Sequence, residues 1–154
     1  VFLLVILLIL IGVWYFWLGR EITITKKVVN ASGDHDAFGS IKVSLTIKNR
    51  GNQRMYNLRV LDKIPSYIIP VKEEFSGMQP LHVKKGFGGT AIIWNIPGIE
   101  RHGEMVISYR VKTKLHVFGK LMLPTATVRY RNMKGRIVNS YSNKLILFSL
   151  PGKE

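Results

Sequence analysis

The chain has 154 residues, with 23 Lys and Arg against 9 Asp and Glu, a formal net charge of +14, and no cysteine. Without cysteine there is no disulfide framework, no thiolate metal site and no thiol nucleophile. The positive surplus favours anionic partners such as lipid headgroups or anionic envelope polymers. No recognition-helix pattern, zinc spacing or RNP-like aromatic strand accompanies it, which speaks against nucleic acid.

From Val1 to Leu18 the sequence VFLLVILLILIGVWYFWL carries no charge and no proline. Eighteen helical residues would span about 27 Å, close to the ~30 Å hydrocarbon thickness of a bilayer. No polar stripe marks a soluble amphipathic helix. Trp14, Tyr15, Phe16 and Trp17, followed by Arg20, have the pattern of an interfacial aromatic belt. The exit lacks the small-residue cleavage site of a secretory signal. Residues 1–19 are therefore expected to form a helix that crosses a membrane once, with Val1, Leu4, Leu8, Ile11, Trp14, Tyr15 and Trp17 against lipid. The competing expectation is a filament core in which those side chains meet identical subunits. That layout resembles archaeal type IV pilins, where an apolar helix exposed by leader cleavage precedes a β-sandwich, and a start at Val1 rather than Met fits such processing.

Residues 20–150 read as strands, with 151–154 as a tail. In SIKVSLTIK, Ile41, Val43, Leu45 and Ile47 alternate with Lys42, Ser44, Thr46 and Lys48, the pattern of a strand with one wet face. EMVISYRVKTK repeats it with Met105, Ile107, Tyr109 and Val111 inward, and TATVRYR with Ala126, Val128 and Tyr130. EITITKKVV, YNLRVLD, TAIIWNI, RIVNSY and KLILFSL are further strands, separated by turn signals such as Asn49-Arg50-Gly51-Asn52 and Asn132-Met133-Lys134-Gly135. About eight such strands predict a mainly β fold, an antiparallel immunoglobulin-like sandwich of two sheets. The last strand is apolar on both faces and is expected inside a sheet or covered.

Between Val71 and Thr90 the period breaks down, and a connection of this length suggests a role. Leu81-His82-Val83 is a short edge-strand candidate. Glu73, Phe75, Met78, Lys84, Lys85 and Phe87 are the candidate partner-binding side chains of this loop. Its Gly-Phe-Gly-Gly tip lacks the Lys-Ser/Thr of a phosphate loop and leads into a strand, which excludes a nucleotide site.

Taken together, IKVSLTIKNRGNQRMYNLRVLDKIPSYIIPV, IIWNIPGIERHGEMVISYRVK and LPTATVRYRNMKGRIVNSYSNKLIL resemble the conserved-repeat sandwich domains, domain of unknown function eleven, of archaeal and bacterial surface proteins. The likeness covers most of Ser40 to Leu147 and lies in the order of the elements: an Asn49-x-Gly51 turn, an Asn57-x-x-Val60-x-Asp62 run closing at Pro65, a tryptophan strand and a closing hairpin. It implies a surface-exposed structural or adhesive module. The basic composition and the single copy depart from the usual repeats. Bland structural roles are expected for the shared positions. Gly51 would take a positive φ, Asn57 and Asn143 would bond backbone at strand entrances, and Asp62 would bond loop amides. Trp94 would fill the space between sheets, with Tyr130 inward on its strand.

No catalytic constellation emerges. His35, His82, His102 and His116 are scattered, and Asp34-His35-Asp36 reads as an exposed polar loop rather than a metal site. Neither G-x-S-x-G nor H-E-x-x-H occurs. No enzyme activity, cofactor or metal is expected. Asn30-Ala31-Ser32 is a glycosylation sequon and fits an outside location. The leading expectation is thus a membrane-anchored, single-pass surface sandwich, with partners drawn from the lipid bilayer, anionic envelope polymers or a surface protein. A filament subunit, and a cytoplasm-facing domain of a multi-spanning complex, are the alternatives.

Overall fold

The computed structural model describes residues 1–17, 21–29, 40–72, 74–113 and 120–148. The apolar N-terminal run forms helix α1, Phe2–Trp17, because uninterrupted Leu, Ile and Val with no proline leave nothing to break it. Its 16 residues rise about 24 Å. Every side chain from Val1 to Trp14 is exposed. Among the described residues no helix is long and apolar enough to cross a membrane. That overturns the expected single-pass membrane location: the described helix is a turn shorter than the ~30 Å core requires.

The rest is antiparallel β-structure. In chain order the strands are β1 Ile22–Val28, β2 Ser40–Asn49, β3 Met55–Ile64, β4 Ile68–Pro70, β5 His82–Gly86 and β6 Gly89–Ile99. They continue with β7 Glu104–Thr113, β8 Lys120–Leu123, β9 Thr127–Arg131, β10 Ile137–Tyr141 and β11 Leu145–Phe148. One sheet has the order β1-β2-β7-β4, a second the order β10-β9-β3-β6-β5, and β11 pairs with β8 in a two-stranded ribbon. The predicted alternation sets the register. Val43, Leu45 and Ile47 on β2 stand opposite Tyr109, Ile107 and Met105 on β7. All are buried except the half-buried Met105. On the second sheet Val60 lies between Trp94 and Val128. The two inner faces share one core, in which Trp94 packs edge-on to Phe75 at 6.3 Å and lies 5.8 Å from Tyr109.

Three local expectations need revision. The chain has more strands than the alternation suggested, and β11 is an outlying ribbon strand, with Ile146 exposed rather than covered. Gly51 is not among the positive-φ residues. Asn49 makes that turn instead: its Oδ1 accepts from the Gly51 amide, and its buried Nδ2 donates to the Gln53, Ile99 and Glu100 carbonyls. This ties the β2–β3 turn to the β6–β7 turn. On β3 it is Asn57 that is left-handed, at φ 53°, and the twist there lets Met55 and Leu58 both face inward although three positions apart.

Candidate functional site

Two features stand out from a plain sandwich, one between the sheets and one on the surface. Between the sheets, Lys26 on β1 and Asp62 on β3 both lie on the inward parity of their strands, among Ile22, Ile24, Val60 and Ile64. Their side chains are 0% exposed, with Nζ 2.6 Å from Asp62 Oδ1. Nζ also donates to the Pro124 carbonyl at 2.9 Å. The Tyr109 hydroxyl donates to Asp62 Oδ2. Burial pushes the Asp62 carboxyl above its ordinary value, against the lowering pull of Lys26. Burial, with the Asp62 charge beside it, holds the Tyr109 hydroxyl well above its usual range. Asn143 fastens the same strand from outside: its Oδ1 accepts from the Lys26 amide and its Nδ2 donates to the Lys26 carbonyl, both at 2.9 Å. Lys26 thus links the first sheet, the second sheet and the approach to β9. Asp62 bonds the Lys26 and Tyr109 side chains rather than only loop amides as expected.

The candidate loop between Val71 and Thr90 does not gather into one surface. Phe75 is buried against Trp94, and Met78 packs on the core. Lys84 on edge strand β5, Lys85 and Phe87 are exposed at the β5–β6 hairpin. Glu73, the Asn30 sequon and the Asp34-His35-Asp36 segment lie outside the described residues, as do the side chains of Tyr15 and Trp17. Val1, Leu4, Leu8, Ile11 and Trp14 form an exposed apolar surface along α1. Trp94 and Tyr130 are in the core. Among the described residues no group of three or more His, Asp or Glu could hold a metal ion.

The surface feature is a groove of about 620 Å³ on the outer face of the second sheet, lined by Arg54, Arg59, Arg129 and Arg131 together with Tyr56, Met133 and Ile137. Register builds it. Arg59 on β3 and Arg129 on β9 are direct cross-strand partners, which sets their α-carbons about 5 Å apart on the same face. Asn95 on β6 lies opposite Arg59, and Asn139 on β10 opposite Arg129. A row Asn95–Arg59–Arg129–Asn139 therefore crosses four adjacent strands, every member exposed. Arg54 stacks over the Tyr56 ring, 5.1 Å from its centroid, and pairs with Glu100 at 2.7 Å. Gly98 leaves room for it, since a Cβ there would come within 2.9 Å of Arg54 Nε. Arg131 donates to the Gly135 carbonyl. Arg59 and Arg129 have no carboxylate partner among the described residues. Like charges directly opposite on one face repel, so the pair is a local cost that the fold itself does not relieve.

No family model and no curated protein matches the sequence. Among solved structures the chain is similar to an aspartate-substituted form of BcpA, the major pilin subunit of Bacillus cereus. The TM-score is 0.60 at 13% identity, over 86% of this chain and 41% of that one. It is also similar to the GH20 exo-β-N-acetylglucosaminidase of Vibrio harveyi, with a TM-score of 0.52 at 11% identity, over 80% of this chain and 18% of that one. The chain spans less than half the length of either protein. At such identities the likeness is one of fold alone, a mainly β, antiparallel domain.

Proposed function

We propose that this chain is a non-catalytic structural or adhesive module of a cell surface, an immunoglobulin-like sandwich whose arginine groove meets an anionic partner. The observation that carries the reading is the Arg59–Arg129 pair, two exposed guanidiniums held opposite each other with no acid to balance them. A solvated charged face alone would not require that placement, whereas an anion between them would turn the repulsion into binding. The resemblance of Ser40–Leu147 to conserved-repeat surface domains supports the location, and the fold shared with a pilin subunit is compatible with it. The experiment is co-sedimentation of the full chain, kept in mild detergent, with isolated cell-envelope fragments. The parent should pellet with the fragments in a salt-sensitive manner and the Arg59→Ala/Arg129→Ala variant should remain in the supernatant. A parent that stays in the supernatant would sink the proposal.

A second reading, assembly of copies into a filament, is favoured by α1. An unbroken apolar helical surface from Val1 to Trp14 is larger than a monomer ordinarily leaves uncovered, and sister helices would cover it. Removing detergent and examining the chain by electron microscopy tests this: ordered fibres support assembly through α1, and amorphous aggregates or small particles count against it.

A further inference from the structure

We propose that the groove binds an extended phosphodiester-linked polyol or sugar chain, with a phosphate seated between Arg59 and Arg129 and neighbouring hydroxyls on Asn95 and Asn139. The inference rests on the functional reading above and names the chemistry of the partner. Its first support is the kind of cation used. The chain contains 14 lysines and 9 arginines, yet four arginines and no lysine line the groove. A guanidinium offers a planar fork of donors that engages phosphate oxygens in pairs, which a lysine ammonium cannot do. Forks rising from two adjacent strands approach an anion from different sides, and the tetrahedral oxygens of a phosphate can accept both.

The surroundings decide between classes of polyanion. Base stacking needs a free aromatic face. Of the aromatic residues lining the groove, Tyr56 has one ring face taken by Arg54 and Tyr130 is buried, while the exposed Tyr141 lies beyond Asn139 on β10. Single-stranded nucleic acid would therefore find no run of free rings beside the Arg59–Arg129 pair. An acidic peptide would need backbone partners, and these are offered at a sheet edge. Arg59 and Arg129 sit on β3 and β9, which lie inside the order β10-β9-β3-β6-β5. A polyol or sugar phosphate has neither requirement. Its hydroxyls match the two asparagine amides, and its CH groups match the exposed aliphatic edge of Met133 and Ile137. Strands spaced about 4.8 Å apart put the four row members across about 14 Å, enough for roughly two repeat units of such a chain.

The test uses the full chain in mild detergent and a poly(glycerol phosphate) oligomer as probe, read by isothermal titration. Oligothymidylate and polyglutamate of matched charge serve as comparators. The parent should bind poly(glycerol phosphate) more tightly than either comparator, and less tightly as salt rises. Arg59→Ala/Arg129→Ala should lose about tenfold or more in affinity. Arg50→Ala/Arg101→Ala, an equal change in charge at the β2–β3 and β6–β7 turns outside the groove, should change it by less than about twofold. Equal losses in both double variants would reduce the effect to net charge and overturn the proposal. So would tighter binding of oligothymidylate or polyglutamate. Envelope co-sedimentation that persists without poly(glycerol phosphate) binding refutes this inference while leaving the functional reading standing. Loss of co-sedimentation refutes that reading itself.

Discussion

Asp62→Ala is the substitution with the largest expected effect on stability, and the structure supplies its size. Lys26 Nζ is wholly buried and donates to Asp62 Oδ1 and the Pro124 carbonyl. Removing the carboxylate leaves an ammonium in the core with one neutral acceptor, a change that costs about 3–5 kcal/mol. The Tyr109 hydroxyl loses its acceptor too, adding on the order of 1 kcal/mol. Replacing the whole network by apolar groups of similar volume, Lys26→Met/Asp62→Leu/Tyr109→Phe, removes every orphan together. That variant should lie within about 2 kcal/mol of the parent, on either side. Urea unfolding followed by fluorescence provides the assay, since Trp94 is 5.8 Å from Tyr109 and 0% exposed. Both variants can be compared at constant m-value. The reasoning fails if Asp62→Ala costs under about 1 kcal/mol, or if the triple variant is as unstable as the single one.

The same network makes stability depend on pH. Tyr109 keeps its proton in the folded state above its unfolded value of 10.0, so the folded state binds more protons and stability should fall as pH rises past 10. Tyr109→Phe should remove that part of the alkaline loss in denaturation curves. Arg129→Thr should stabilise the domain by about 0.2–1 kcal/mol by ending the cross-strand repulsion, with a higher melting temperature as the readout. At the β5–β6 hairpin Gly89 has φ 128°, and a Cβ would fall 1.9 Å from the Ile64 carbonyl oxygen. Gly89→Ala should therefore cost about 2 kcal/mol or more and lower the urea midpoint.

The sequence was most legible where chemistry is local. Strand parity placed Val43, Leu45, Ile47, Ile107, Tyr109, Val111, Ala126, Val128 and Tyr130 in the core, and all are buried. That follows from a side-chain period of two, which needs no knowledge of the partner strand. The buried pair was missed, since Asp62 was expected to bond loop amides, although the same rule contains it: Lys26 occupies the parity of Ile22 and Ile24, and Asp62 that of Val60 and Ile64. The arginine row was not readable in that way. Arg59 and Arg129 are 70 residues apart, and their juxtaposition depends on β9 pairing not only with its hairpin neighbour β10 but with the distant β3. Phe75 and Met78 were assigned to a binding loop because the segment lacks periodicity, yet single apolar residues in an irregular loop can fold back onto the core, and these do. Apolar composition shows where a helix would be comfortable in lipid and does not by itself show a membrane crossing; the described helix, Phe2–Trp17, lies within the predicted run.

Arginine-selective labelling with phenylglyoxal, read by mass spectrometry with and without envelope fragments, shows whether an anionic partner occupies the groove. Arg50, Arg101 and Arg136 are exposed outside the groove and serve as internal references. Fragments should protect Arg59, Arg129 and Arg131 while the three reference arginines label as before. Protection spread evenly over all the arginines, or concentrated on Arg50 and Arg101, would contradict occupancy of the groove.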